Sequence, residues 1–309
     1  MFSPLKIRYF LFLLFVLCLM SLSCGRRASP DKSMTAFVGG KFDASGVADV
    51  PGADGVLFVD NGREGHVFWM KLDQQGRQVG EIKAVALGLG IEDLEGITTD
   101  GTYFYVVSSQ SRPKAIATEG LVRFKFDVRS QTVEGVEAIS GLKKFLVENV
   151  AELREGADKT GKDGGLNIEG LAWDRRQGRL LLGLRSPIID GHALLVPLKL
   201  RDRRGAFSVD NLEVENSRAI RMSLGGAGVR GIEYDGRAKA FKIISGAAED
   251  QNPTHFGLWE WNGDEQRPVL RETNRFDNSL KPEGVARVTV GNRDFIIIVF
   301  DASGYTIME

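Results

Sequence analysis

The sequence predicts an all-β protein, a β-propeller of five blades. Three observations carry this. A short motif with a central Gly recurs along the chain; each copy is followed by an apolar run rich in β-branched and aromatic residues; and a third, alternating run follows that one. The copies are Asp93-Leu94-Glu95-Gly96-Ile97, Asn167-Ile168-Glu169-Gly170-Leu171, Val229-Arg230-Gly231-Ile232 and Lys281-Pro282-Glu283-Gly284-Val285, with a weaker one at Ala44-Ser45-Gly46-Val47. Between the residues that precede each Gly the spacings are 50, 74, 61 and 53. These are close to the length of one four-stranded blade. Six blades are the alternative if the 74-residue interval hides a degenerate one.

Each blade can be followed through the chain. First strands open on the Gly motif and close on turns such as Asp100-Gly101 and Asp235-Gly236. Second strands are expected at 56–59, 103–107, 180–184, 241–244 and 295–300. Third strands are expected at 66–72, 120–126, 192–198 and 257–261. Fourth strands are less regular, at 81–87, 132–139, 207–212 or 218–222, and 268–272. The last set has three strands before the chain ends, so Met34 to Phe42 is the segment to complete it. One helix interrupts the pattern. Leu142, Phe145, Leu146, Asn149, Val150 and Leu153 share a face of 142–155.

The first 24 residues read as an export signal. Lys6 and Arg8 precede the apolar stretch Phe10 to Leu22, whose 13 residues are short for a membrane span. Ser21-Leu22-Ser23-Cys24-Gly25 resembles the lipobox of bacterial lipoproteins, with Ser21 where Leu is usual. The expectation is lipidation at Cys24, a flexible tether over 25–35, and one propeller domain over 36–309 anchored in the cell envelope. The alternative is a secreted soluble protein. Cys18 and Cys24 are the only cysteines, so the domain has no disulfide and no thiolate metal site. Without Lys6 and Arg8 the exported part has 38 basic and 41 acidic residues. No basic block stands out, which argues against a nucleic-acid partner.

Antiparallel meanders place the starts of all first strands on one face, with the links from strand two to strand three. Glu95, Glu169, Arg230 and Glu283 are therefore expected to ring the channel mouth. Asp60 and Asn61, Ser108, Gln110 and Arg112, Arg185, Asp190 and His192, Glu249, Asp250 and His255, and Asp301 come from the neighbouring links, and the helix is expected on the same face. The Gly of each motif suits crowding near the axis. Each Glu has a plain structural reading as an ion pair with Arg230 or Arg185. The functional reading starts from the cost of leaving several carboxylates unpaired. Glu95, Glu169, Glu283 and Asp301 would then hold a hard cation such as Ca2+. Arg185 and Arg230 would bind an anionic substrate, and His192 would act as base. This describes a metal-assisted hydrolase of a phosphate ester, ester or lactone. The alternative is a non-catalytic propeller that binds a small molecule or an envelope glycan, with its carboxylates paired to arginines. Trp69, Trp259 and Trp261 are the aromatics for such a surface. The sequence has no Gly-x-Ser-x-Gly, His-Glu-x-x-His or phosphate-binding glycine loop.

Several segments taken together resemble the bacterial "domain of unknown function 3616" family. They are Asp93 to Ile97 with Tyr103 to Ser111, Asn167 to Ala172 with Leu181 to Pro187, Asp190 to Ala193, Gly228 to Ile232, and Lys281 to Val285. The resemblance spans roughly residues 45–300 and implies a propeller without a specific activity. The Gly-motif strand start is also similar to that of esterase-like propellers associated with phytases and of calcium-dependent lactonases. In the second group Glu95, Glu169 or Glu283, with Asp301 or Asn61, stand where ligands would be expected, though the full ligand set is not present.

Overall fold

The computed structural model describes residues 34–248, 255–264, 268–272 and 278–308. The signal segment, Cys24, Glu249 and Asp250 lie outside the described residues. The described chain forms five antiparallel blades, four of four strands and one of five. Blade one is β2(Ala44–Asp49), β3(Gly55–Asp60), β4(His66–Lys71) and β5(Lys83–Ala86). Blade two is β6(Leu94–Thr99), β7(Phe104–Ser108), β8(Gly120–Asp127) and β9(Thr132–Ser140). Blade three is β10(Asn167–Asp174), β11(Arg179–Ser186), β12(Ala193–Leu200), with β13(Leu212–Val214) and β14(Ile220–Met222) outermost. Blade four is β15(Gly228–Asp235), β16(Ala240–Gly246), β17(Gly257–Trp261) and β18(Val269–Glu272). Blade five is β19(Pro282–Val290), β20(Arg293–Phe300), β21(Gly304–Met308) and the N-terminal β1(Thr35–Ala36).

The ring closes as the sequence requires. Thr35 pairs with Tyr305 and Ala36 with Gly304. The strand β1 spans the expected boundary at 36. The 74-residue interval holds no sixth blade. It holds α1(Leu142–Asn149) and two short 3-10 turns, at Ala151–Leu153 and Gly161–Asp163. The helix is shorter than the apolar pattern implies, because Val150 adopts an extended conformation (φ −123°, ψ 109°) and breaks it. The two candidates for the fourth strand of blade three are both used. Val214 pairs with Leu198 and Ile220 with Leu195, so one broken strand covers both halves of β12.

Residues preceding each Gly share one backbone feature. The pairing register of every inner strand slips at that residue: at Ser45, Glu95, Glu169, Arg230 and Glu283. Each is a β-bulge, which leaves one residue unpaired and re-aims its side chain. The Gly that follows is there for close approach. A Cβ on Gly231 would sit 2.3 Å from the Glu283 carbonyl oxygen, and one on Gly284 would sit 2.9 Å from the Gly46 Cα. Glycine at these points lets neighbouring inner strands meet at the axis.

The core lies between blades rather than at the centre. Phe37, Phe42, Phe58 and Phe68 pack with Val288 and Tyr305 between blades five and one. Leu142, Phe145 and Leu146 of α1 join Leu121, Leu166 and Leu182 between blades two and three. Trp69 and Trp261 are buried in this packing and Trp259 donates its Nε1–H to Ser245 Oγ (2.8 Å). They form no exposed aromatic surface. On the face away from the mouth, Asp100 and Asp235 close the hairpins by accepting backbone N–H bonds from Tyr103 (2.7 Å) and Ala238 (3.0 Å).

At that far end, part-buried carboxyls are held protonated. Burial raises Asp49 from 3.8 to about 7, against the Thr289 backbone hydrogen bond. Burial also raises Glu233 from 4.5 to about 8, against the hydrogen bond from Thr98. Glu119, beneath the 110–119 loop, is pushed to about 7 in the same way. The native state therefore keeps protons that the unfolded chain has released between about pH 4 and pH 8. Stability is greatest at the acid end of this window and falls as pH rises, by about 1.4 kcal/mol per pH unit for each such proton. The lowered carboxyls, such as Asp235 and Asp294, act only below about pH 4. Denaturant unfolding is expected to show lower stability at pH 8 than at pH 5, with Glu233→Gln flattening the upper part of the slope. Equal stability at both pH values would refute the assignment.

Candidate functional site

The five bulges converge on one end of the channel. Ser45, Glu95, Glu169, Arg230 and Glu283 all line a cavity of about 860 Å³ there, as do Asn61, Arg185 and Asp301. Arg112 lines it too, whereas Asp60, Ser108, Gln110, Asp190 and His255 of the expected link residues do not, and neither does His192. That side chain lies outside this cavity, on the β11–β12 turn, with Nδ1 2.8 Å from the carbonyl oxygen of Asp190 two residues earlier. It is not placed to act as a base at the mouth. Nor does α1 line the cavity. Lys143 ties the helix to the 110–112 loop, its N–H donating to Gln110 Oε1 (3.1 Å) and its Nζ to the Arg112 carbonyl.

The charges at the mouth are paired. Arg230 is 9% exposed and sits between two carboxylates. Its Nε donates to Glu283 Oε2 (2.7 Å), its Nη2 donates to Glu283 Oε1, and its Nε also lies 2.9 Å from Glu169 Oε2. The guanidinium carbon is 6.0 Å from the Phe256 ring centroid, within cation–π range. Arg185 donates from Nη1 to Glu169 Oε1 (3.1 Å) and from Nε to the Ala247 carbonyl (3.1 Å). Lys281 donates to Asp301 (2.9 Å). The ion-pair reading of Glu169 and Glu283 therefore holds.

Glu95 differs. Among the described residues it has no ion pair, and it is 8% exposed. Burial, then the neighbouring Glu169 and Asp93, hold its carboxyl well above the ordinary range, against Arg230 and a hydrogen bond from Ser45. That environment favours the neutral acid, which can donate a proton to an acceptor.

Two buried acceptors of residues that line this cavity receive no hydrogen bond among the described residues. One is Glu169 Oε2, because the Arg230 Nε–H is directed at Glu283. The other is Asn167 Oδ1, whose amide is oriented by donation from Nδ2 to Glu169 Oε1 (3.1 Å). Buried acceptors of this kind call for a donor. Asn167 was visible only as the opening residue of its motif. The other lining residues that sequence reasoning did not single out come from segments without periodicity: Thr160 to Lys162, Phe256 and Ser279. The three glutamates and Asp301 do gather at the mouth. However, among the described residues no group of three or more His, Cys, Asp or Glu side chains is arranged to hold a metal ion. A cation there would have to compete with guanidinium groups already in contact.

Residues 132–305 match the family described as "Protein of unknown function (DUF3616)". No curated protein matches the chain. Among solved structures, the GH43 β-1,3-galactosidase with galactodeoxynojirimycin is 9% identical, with a TM-score of 0.50, over 89% of this chain and 94% of that one. The PQQ domain of pyranose dehydrogenase from Coprinopsis cinerea is 12% identical, with a TM-score of 0.48, over 91% and 98%. The soluble aldose sugar dehydrogenase from Escherichia coli is 11% identical, with a TM-score of 0.44, over 86% and 95%. At such identities the likeness to the galactosidase is one of fold.

Proposed function

Since the chain belongs to the DUF3616 family, which supplies a propeller and no assigned activity, we propose from its own residues that the mouth binds an uncharged, hydroxyl-rich ligand. The protein is then a lipid-anchored binding propeller of the cell envelope. One observation carries the reading: Arg185 and Arg230 are paired with Glu169 and Glu283, while Glu95 offers a proton and Glu169 Oε2 and Asn167 Oδ1 receive no hydrogen bond. A hydroxyl both donates and accepts, so a polyol satisfies all three without bringing a charge that needs a partner. An added anion would compete with Glu169 and Glu283 for Arg230, and an added cation would compete with Arg230 for the same carboxylates.

The test is calorimetry on residues 25–309 with neutral monosaccharides, sugar phosphates and Ca2+. Neutral sugars are expected to bind. Glu169→Gln replaces one acceptor oxygen by an NH2 group and is expected to weaken binding at least about tenfold, the cost of one charge-assisted hydrogen bond. Glu95→Gln, which stays neutral and keeps a donor, is expected to leave affinity within about threefold. Saturable Ca2+ binding that both substitutions abolish would overturn this reading in favour of a metal centre.

A further inference from the structure

We propose that the mouth is the inner end of a longer cleft, and that the ligand is a linear oligosaccharide rather than a single sugar. This rests on the hydroxyl-rich ligand reading above and extends it along the surface.

Three cavities share walls. The mouth cavity, about 860 Å³, meets a second of about 740 Å³ at Ala247, which lines both. The same chain segments continue from one to the other. Gly161 and Arg185 border the first, and Gly164 and Ser186 border the second. The second meets a third, of about 890 Å³, at Glu152, Glu155 and Ile189. The third reaches the outer edge of blade three at Ile220 and Arg221. Each segment alone is the size of a small-molecule site, which spans roughly 300–1,000 Å³. A single sugar fills only part of one. A chain of sugars has the shape of all three in series.

The chemistry along the cleft also repeats. At the neck between the second and third segments, Glu152 Oε2 is buried and accepts no hydrogen bond. It stands there as Glu169 Oε2 and Asn167 Oδ1 stand at the mouth. One donor-bearing ligand that spans both places satisfies all three atoms. The middle segment is bordered by the small residues Gly225, Gly226, Ala227 and Ala248, with Pro187 and Ile188 beside them. On its rim Asp190 is paired, accepting from Arg221 (2.8 Å). The insertion between blades two and three acquires a role on this view. The 3-10 turn after α1 carries Glu152 and, with the following residues, forms one wall of the outer cleft.

The experiment is a chain-length series by calorimetry on residues 25–309. The probes are glucose and N-acetylglucosamine with their β-1,4-linked oligomers of two, four and six units, and β-1,3-linked glucans of the same lengths. The expected result is an affinity that rises at least tenfold from monomer to tetramer in one series. Ala248→Trp, which fills the middle segment, and Glu152→Ala are each expected to abolish most of that gain. Both should leave monosaccharide affinity within twofold. Monosaccharide binding without length dependence would overturn the cleft and leave the mouth reading intact. A length gain untouched by both substitutions would overturn it as well. No binding by any probe would overturn both readings.

Discussion

Replacing Arg230 by methionine is expected to lower the free energy of unfolding by about 3–5 kcal/mol, the cost of removing one partner from a buried ion pair. For a domain of this size that corresponds to a fall in Tm of roughly 10 °C. The guanidinium is the one basic group among the five bulge positions, and it neutralises both Glu169 and Glu283. Without it, two buried carboxylates face each other beside Glu95 with only Arg185 to compensate Glu169. The penalty arises from the stranded charges, not from lost packing, since methionine keeps much of the apolar stem. Two further outcomes follow. The substituted chain should recover stability as the pH is lowered and the carboxylates protonate. Adding Glu169→Gln and Glu283→Gln should restore most of the loss, and a triple variant no better than Arg230→Met would sink this explanation. Denaturant titrations of the parent, Arg230→Met and the triple variant at pH 5 and pH 8 measure all of it.

Removing residues 1–40 is expected to cost at least about 3–5 kcal/mol, relative to a chain that begins at residue 25. The truncated chain loses β1, and with it the last strand of blade five. It also loses Phe37, which is 7% exposed and stacks on Phe58 (5.2 Å between centroids) and on Tyr305 (5.7 Å). Burial of one such phenylalanine accounts for the quoted loss by itself. The opened edge of β21 adds a second effect, because an unpaired strand edge is a template for intermolecular pairing. Unfolding midpoints and size-exclusion chromatography test the two parts separately. A truncated chain that is as stable as the parent and monomeric would show that closure does not depend on β1.

Much of the fold was legible because a propeller repeats one local problem. The Gly motif, the apolar second strand and the alternating third strand recur at blade intervals, and periodicity of that kind survives in a single sequence. The closing role of the 34–42 segment followed from counting strands. Two features were misread or left open because they depend on neighbours. The apolar stripe of 142–155 predicts one helix, but Leu153 reaches the same core from a 3-10 turn after the break at Val150. The fourth strand of blade three could not be chosen between two segments, because β12 is long enough to pair with both.

The candidate site divides in the same way. Glu95, Glu169, Arg230 and Glu283 were identifiable because each precedes its Gly at the start of an inner strand, and symmetry carries them to one mouth. His192 was misplaced because proximity in sequence to a strand end says nothing of where a loop side chain turns. Its ring nitrogen stays with its own turn. The pairing of Glu169 and Glu283 with Arg230 was not legible, since composition cannot tell a charge that is paired from one that is open.

The sequence by itself determined that this is a propeller, where each blade starts, and which four charged residues surround its axis. These depend on local geometry repeated along the chain. Tertiary structure alone decided the charge state and the shape of the site: Arg230 between Glu169 and Glu283, Glu95 favoured as the neutral acid, and a mouth cavity that shares Ala247 with its neighbour. Those follow from distances and burial among residues far apart in the chain, and electrostatic energy in a low-dielectric mouth is set by these and not by residue type.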